Sequence, residues 1–261
     1  MLQFGFMQNA LLGVVLISII AGIIGTVIVV RRKVFVAGGI THASFGGIGI
    51  AYYLGINPLI GAFLFAVTTA LSIDMLEKKS KIRPDSAIAM LWSLGMAIGL
   101  IFMFLSPGYS ANLMGFMFGD ILSISTSDLI GSACIAGALS LLVIFYYRPL
   151  LYVSFSPDFA RLSGLRVGLI ESVISIFTAL GIVVAIKAVG IVLVLSLFTI
   201  PQAISGIFTH NMKNIFIFSI LVAMAAGLVG LMASYYIDLP AGAVITATLA
   251  LVMVGIKIVR R

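Results

Sequence analysis

Few residues in this chain can bind a cation, carry a proton or attack a bond. Its 261 residues include two histidines, one cysteine and eight acids. His42 stands in GGITHASFGG, a glycine-rich apolar run, and an ionisable group at membrane depth is by default a functional one. An imidazole there can offer nitrogen to a divalent transition metal. The competing reading is a packing histidine satisfied by Thr41 or Ser44. His210, in IFTHNMKN beside Lys213, reads instead as a solvated histidine at the end of an apolar run. Asp120 lies in SPGYSANLMGFMFGDILSISTSD (106–128), a stretch too polar and glycine-rich for an ordinary span. There it is either a cavity-facing acid that meets a cation or a satisfied turn carboxylate. Asp74, Glu77, Asp85, Asp128, Asp158, Glu171 and Asp238 fall mostly at the ends of apolar runs, where solvated or capping roles are the default. Asp85, after Arg83-Pro84, reads as a helix cap.

Catalytic arrangements are missing. No Gly-x-x-x-x-Gly-Lys-Ser/Thr loop is present to cradle ATP, and no His-Glu-x-x-His, Cys-x-x-Cys or Gly-x-Ser-x-Gly appears. The single cysteine, Cys134, lies in LIGSACIAGALSLLVIF and reads as a buried thiol, with no partner for an internal disulfide. A chain of short loops without an energy-converting domain is more often a permease than an enzyme.

The elements that position these residues must be membrane helices. The chain is 62% hydrophobic and only 9% charged, too little polar surface to cover a water-facing globule. About 20 apolar residues cross the hydrocarbon core as a helix. Spans are expected over roughly 8–30, 35–55, 59–76, 85–106, 129–147, 169–186, 188–204 and 215–236, with a last one ending at Lys257. That gives eight or nine crossings of an all-α, polytopic protein. The net charge of +7 is gathered in short clusters between runs: Arg31 to Lys33, Lys78 to Arg83, Arg148, Arg161 with Arg166, Lys213, and Lys257 to Arg261. Such clustering reports cytoplasmic loops rather than a nucleic-acid partner. The N-terminal run lacks the cationic flank of a cleavable signal and reads as a first span that starts outside. Pro201 marks a kink within a span, and Gln202 beside it is as well explained by packing as by a pathway.

One cytoplasmic segment is expected to be structured, within 152–167. Ser156 can cap a helix, Pro157 suits its first position, and Asp158 complements its dipole. Gly164 can stop it. The helix is too short to span, and Phe159 and Leu162 on it are suited to fill a groove on a partner.

Four stretches carry a resemblance. They are VFVAGGITHASFGGIGIAYYLGINP, FMFGDILSISTSDL, SPDFARLSGLRV, and AVGIVLVLSLFTIPQAISGIFTHNMKN followed by YYIDLPAGAVI. In order and spacing they resemble blocks of the permease subunits of bacterial ABC transporters that take up zinc, manganese or iron. The resemblance implies a single transmembrane permease domain, 1–261, in the cytoplasmic (inner) membrane. Its implied partners are a second copy of the permease, a pair of cytoplasmic ATPases and an extracytoplasmic metal-binding protein. No cofactor is held permanently; the metal is cargo, with zinc expected first and manganese or iron next. His42, as metal ligand, and Asp120 are expected along the pathway. Ser156, Pro157, Asp158, Phe159, Arg161, Leu162 and Gly164 are expected to couple to the ATPase. In the family an aspartate stands four residues before the histidine, on the same helix face; here that position is Gly38. Two rivals are an ABC permease for an organic ligand and a secondary transporter or channel. The latter is disfavoured by the lack of a clear internal repeat.

Overall fold

Apolar runs of this length fold as helices because lipid offers no partner to a backbone N–H or C=O. The computed structural model describes residues 4–79, 82–106, 119 and 121–260. Among the described residues every regular element is helical. The helices are α1 (Gly5–Val30), α2 (Val34–Tyr53), α3 (Pro58–Lys79), α4 (Pro84–Leu105), α5 (Thr126–Phe155) and α6 (Pro157–Leu162). They continue as α7 (Val167–Leu197), α8 (Ile200–Phe208), α9 (Met212–Ile237) and α10 (Ala241–Val259), and a single 3-10 turn, Ile121–Ser123, precedes α5. Eight helices are long and apolar enough to cross a membrane, and the shorter apolar stretch Leu193–Phe208 stands between two of them. The expected all-α, multi-pass architecture is therefore present.

Three expected boundaries differ. The span 129–147 does not stop at Arg148-Pro149; α5 carries Pro149 inside it and bends at Tyr146 (φ −112°, ψ 25°). Proline removes one donor and crowds the carbonyl a turn earlier, but LLYVSF beyond it still gains by remaining helical. The second difference lies at Lys187, which was expected between two spans. Helix α7 runs through it and breaks at Gly190, whose φ of 77° and ψ of 166° belong to a region open essentially to glycine alone. Gly119 lies against this break, where a Cβ would strike the Gly190 nitrogen and the Val189 carbonyl carbon. Third, Pro201 kinks nothing: it lies in the first turn of α8, the one helical site where its missing N–H costs little.

Helix contacts gather into two units, Met1–Arg32 with Leu113–Tyr147 and Val184–Arg261, and Lys33–Asn112 with Arg148–Val183. In the first, α9 packs on α1, α8 and α10. Gly22 of α1 meets the backbone of Ile220, and Gly230 of α9 meets Ile245 of α10. Buried polar side chains there find partners: the Gln202 amide nitrogen donates to the Ala21 carbonyl at 2.8 Å and the Leu197 carbonyl at 3.3 Å, while its Oε1 accepts from no described residue, and Ser219 donates to Ser205 at 3.1 Å. Gln202 thus covers a carbonyl freed where α7 gives way to α8. In the second unit α2 lies against both α3 and α4. Small residues allow this close approach, as expected where lipid removes the hydrophobic drive between helices.

Candidate functional site

The surroundings of His42 are set by how α2 meets α4. Gly39 lies against Ile88, Gly46 against the Gly95 carbonyl, and Gly49 against the backbone of Gly99. Residue numbers rise together along both helices, so they run parallel. Side chains of α2 fill the space beside these glycines, Phe45 against Gly99 and Tyr53 edge-on to Phe102 at 5.4 Å. His42 is packed differently. Its imidazole stacks on the indole of Trp92, ring centroids 4.1 Å apart and planes within 7°. Both residues are half-buried. A pair of this kind contributes about 1 kcal/mol beyond the area it buries.

The hydroxyls suggested as partners for His42 are engaged elsewhere. Thr41 donates to the Ala37 carbonyl at 2.6 Å, and Ser44 to the Thr41 carbonyl at 2.7 Å. Both are local helix bonds of the usual serine and threonine kind. Gly38, one turn before His42, is buried. Among the described residues no three His, Cys, Asp or Glu side chains gather as a metal cage. Helix α2 carries no carboxylate to stand beside His42. Asp120 lies outside the described residues. His210 is exposed, as expected at the end of a run.

Most acids at helix ends have partners, which the expectation of solvated or capping carboxylates missed. Lys33 at the start of α2 pairs with Glu77 near the end of α3 at 2.5 Å. Lys78 pairs at 2.8 Å with Glu171 of α7, a carboxylate only 7% exposed. Asp74 accepts a hydrogen bond from Ser175, and in the other unit Asp128 is paired with Lys187. Pairing is what keeps a carboxylate tolerable this close to hydrocarbon. The i,i+3 and i,i+4 spacing of Asp74, Glu77 and Lys78 on α3, and of Glu171 and Ser175 on α7, puts each set on one helix face, which the sequence shows, but not which face meets which. Asp85 is a first-turn acid rather than the cap; the cap position is Arg83. Cys134 is exposed, not buried, because α5 turns much of its surface outward.

Helix α6 forms as its sequence foretells. Ser156 accepts from the Phe159 N–H at 3.4 Å, and Pro157 occupies the first turn. At the other end Gly164 takes φ 78°. Its N–H donates to the Arg161 carbonyl and that of Leu165 to the Ala160 carbonyl, both at 3.0 Å. This is the Schellman arrangement, and Leu165 packs against the apolar cluster to which Ala160 belongs. Buried Ala160, Val153 and Val167 seat the helix, and Asp158 pairs with Arg161 at 3.1 Å on its outer side. Phe159, edge-on to Tyr152 at 5.3 Å, is 53% exposed, and Leu162 is 88% exposed. A six-residue helix capped at both ends thus holds out an apolar tip among charges.

Comparison with known proteins places this architecture. The sequence model described as the ABC 3 transport family matches residues 3–260. An uncharacterized membrane protein of Synechocystis sp. is 36% identical over 94% of this chain and 87% of its own. The manganese transport system membrane protein MntC of Halalkalibacterium halodurans is 31% identical over 93% of this chain and 83% of its own. Among solved structures, PsaBC from Streptococcus pneumoniae in complex with Fab superposes with a TM-score of 0.86 at 28% identity, covering 97% of this chain and 91% of that one.

Proposed function

This chain belongs to the ABC 3 transport family, and we propose that it is the membrane-spanning permease of an ATP-driven importer of a divalent transition metal. Residues 1–261 act as one transmembrane domain, paired with a second copy, two cytoplasmic ATPases and an extracytoplasmic metal-binding protein. The observation that carries the ATP-driven part is α6. Leu162 and Phe159 stand out from a doubly capped helix, the form in which a short helix fits a groove on another protein. Ser156 and Gly164 fix its ends, Pro157 and Asp158 its first turn, and Arg161 holds Asp158. ATP-driven closure of the ATPases moves the α6 helices and reorients the route through the dimer.

His42 is the residue proposed to meet the metal. It is an ionisable side chain inside a spanning helix, and such a group is functional by default. Asp120 is proposed as a second pathway residue. Donor chemistry favours zinc, since an imidazole without its carboxylate is the softer site; the name of the Halalkalibacterium relative favours manganese. Iron remains in the same class.

Uptake by proteoliposomes holding permease, ATPase and binding protein tests the reading. ATP-dependent accumulation of Mn²⁺ or Zn²⁺ is expected for the native chain, and which ion saturates first identifies the cargo. His42→Ala is expected to lower uptake at least tenfold with the ATPase still attached. Leu162→Asp is expected to abolish uptake and release the ATPase. Native uptake of metal by the Leu162→Asp protein would remove α6 from the mechanism.

A further inference from the structure

Glycines bring α2 close to α4, Gly39 at Ile88, Gly46 at Gly95 and Gly49 at Gly99, and aromatic side chains of α2 pack between them, Phe45 against Gly99 and Tyr53 edge-on to Phe102 at 5.4 Å. The contact at His42 and Trp92 differs in geometry: the two rings lie face to face, 4.1 Å apart and 7° from parallel, and both residues are half-buried. A histidine that ligates metal is ordinarily held by a hydrogen bond from its second nitrogen to a carboxylate or carbonyl, which fixes the plane of the ring. His42 has no such bond to a described residue: the Thr41 and Ser44 hydroxyls are committed to helix carbonyls, and Gly38 has no side chain to offer. Stacking supplies what that bond would. It fixes the ring plane while leaving the ring edge, with both nitrogens, clear of the indole.

We propose that Trp92 is a positioning residue for metal at His42, holding the imidazole by its face and favouring the metal-loaded ring. The second effect follows from charge. A metal bound at nitrogen draws electron density from the imidazole, and an indole face attracts the resulting positive ring. Tryptophan does this best, phenylalanine less well, and an aliphatic side chain not at all. The proposal rests on the reading of His42 as a pathway residue and adds to it a residue that never touches the cargo.

Trp92 is the only tryptophan of the chain, so its emission reports this one contact. The test uses the full-length chain in lipid nanodiscs, titrated with MnCl₂ and, in parallel, with radiolabelled Mn²⁺. The native protein is expected to show a saturable change in tryptophan emission at the concentration where Mn²⁺ binds, absent from His42→Ala. Trp92→Phe is expected to bind within about threefold of native, and Trp92→Leu at least tenfold more weakly. If Trp92→Leu binds as native while His42→Ala does not, positioning by Trp92 is overturned and the pathway reading stands. Native binding by His42→Ala overturns both. Should Trp92→Leu fail to fold, the native emission still decides: His42-dependent binding that leaves it unchanged refutes the contact's role.

Discussion

A carboxylate near hydrocarbon is defined by its partner more than by its position in the chain. Glu171 is 7% exposed and held by Lys78, whereas Asp158 and Arg161 pair in open water. Removing a buried partner strands a charge, while an exposed pair is replaced by solvent. Glu171→Ala is therefore expected to lower the thermal midpoint of the purified protein clearly, by about 1–2 kcal/mol of stability once the half-exposed Lys78 is discounted. Asp158→Ala is expected to leave that midpoint unchanged, and scanning both variants in the same detergent checks the difference. Sequence reading singled out His42 because an imidazole among glycines is conspicuous. It could not find Trp92, since a tryptophan in MLWSLGM is unremarkable until two helices are aligned. Nor could it pair Lys78 with Glu171, for their partnership spans a third helix boundary and a reversal of chain direction.

At the level of elements, boundaries were legible where they are made locally and obscure where they are made by packing. Both ends of α6 are written in adjacent residues, Ser156 and Pro157 at one and Gly164 at the other, and the expected helix is the observed one. Pro149 misled because its local instruction to stop is overridden by the apolar turns after it, and Gly190 because one glycine among many carries no mark of its positive φ. The glycines also differ in what they do. Gly49 has the Gly99 backbone where its Cβ would be, while Gly131 faces open space. Gly49→Ala is expected to cost about 1–3 kcal/mol, since a carbonyl cannot step aside as a side chain can. Gly131→Ala is expected to be neutral or slightly stabilising, as in any exposed helix. Fluorescence-detected gel filtration after graded heating separates these outcomes.

Across the whole molecule the multi-pass plan was legible because composition alone demands it. The clustering of lysine and arginine predicts the sidedness of that plan: Ser163, after α6, is expected in the cytoplasm, and Ile56, between α2 and α3, outside. In a Cys134→Ser background, a cysteine at Ile56 is expected to react with an impermeant maleimide on intact cells, and one at Ser163 only after the membrane is opened. The reverse pattern would put α6 on the side without ATP. What composition could not supply is the split of helix contacts into two units, because two of the crossings between them fall inside α5 and α7, where neither helix ends.

The apolar tip of α6 bears on how much of this protein a cell can keep. Leu162, 88% exposed, is a sticky spot in water for as long as nothing covers it, and exposed apolar surface is what chaperones bind. If the ATPase proposed to dock there is what covers it, chains synthesised in excess of that subunit would mark themselves for removal. The amount of transporter would then follow the scarcer subunit without any separate control over this one.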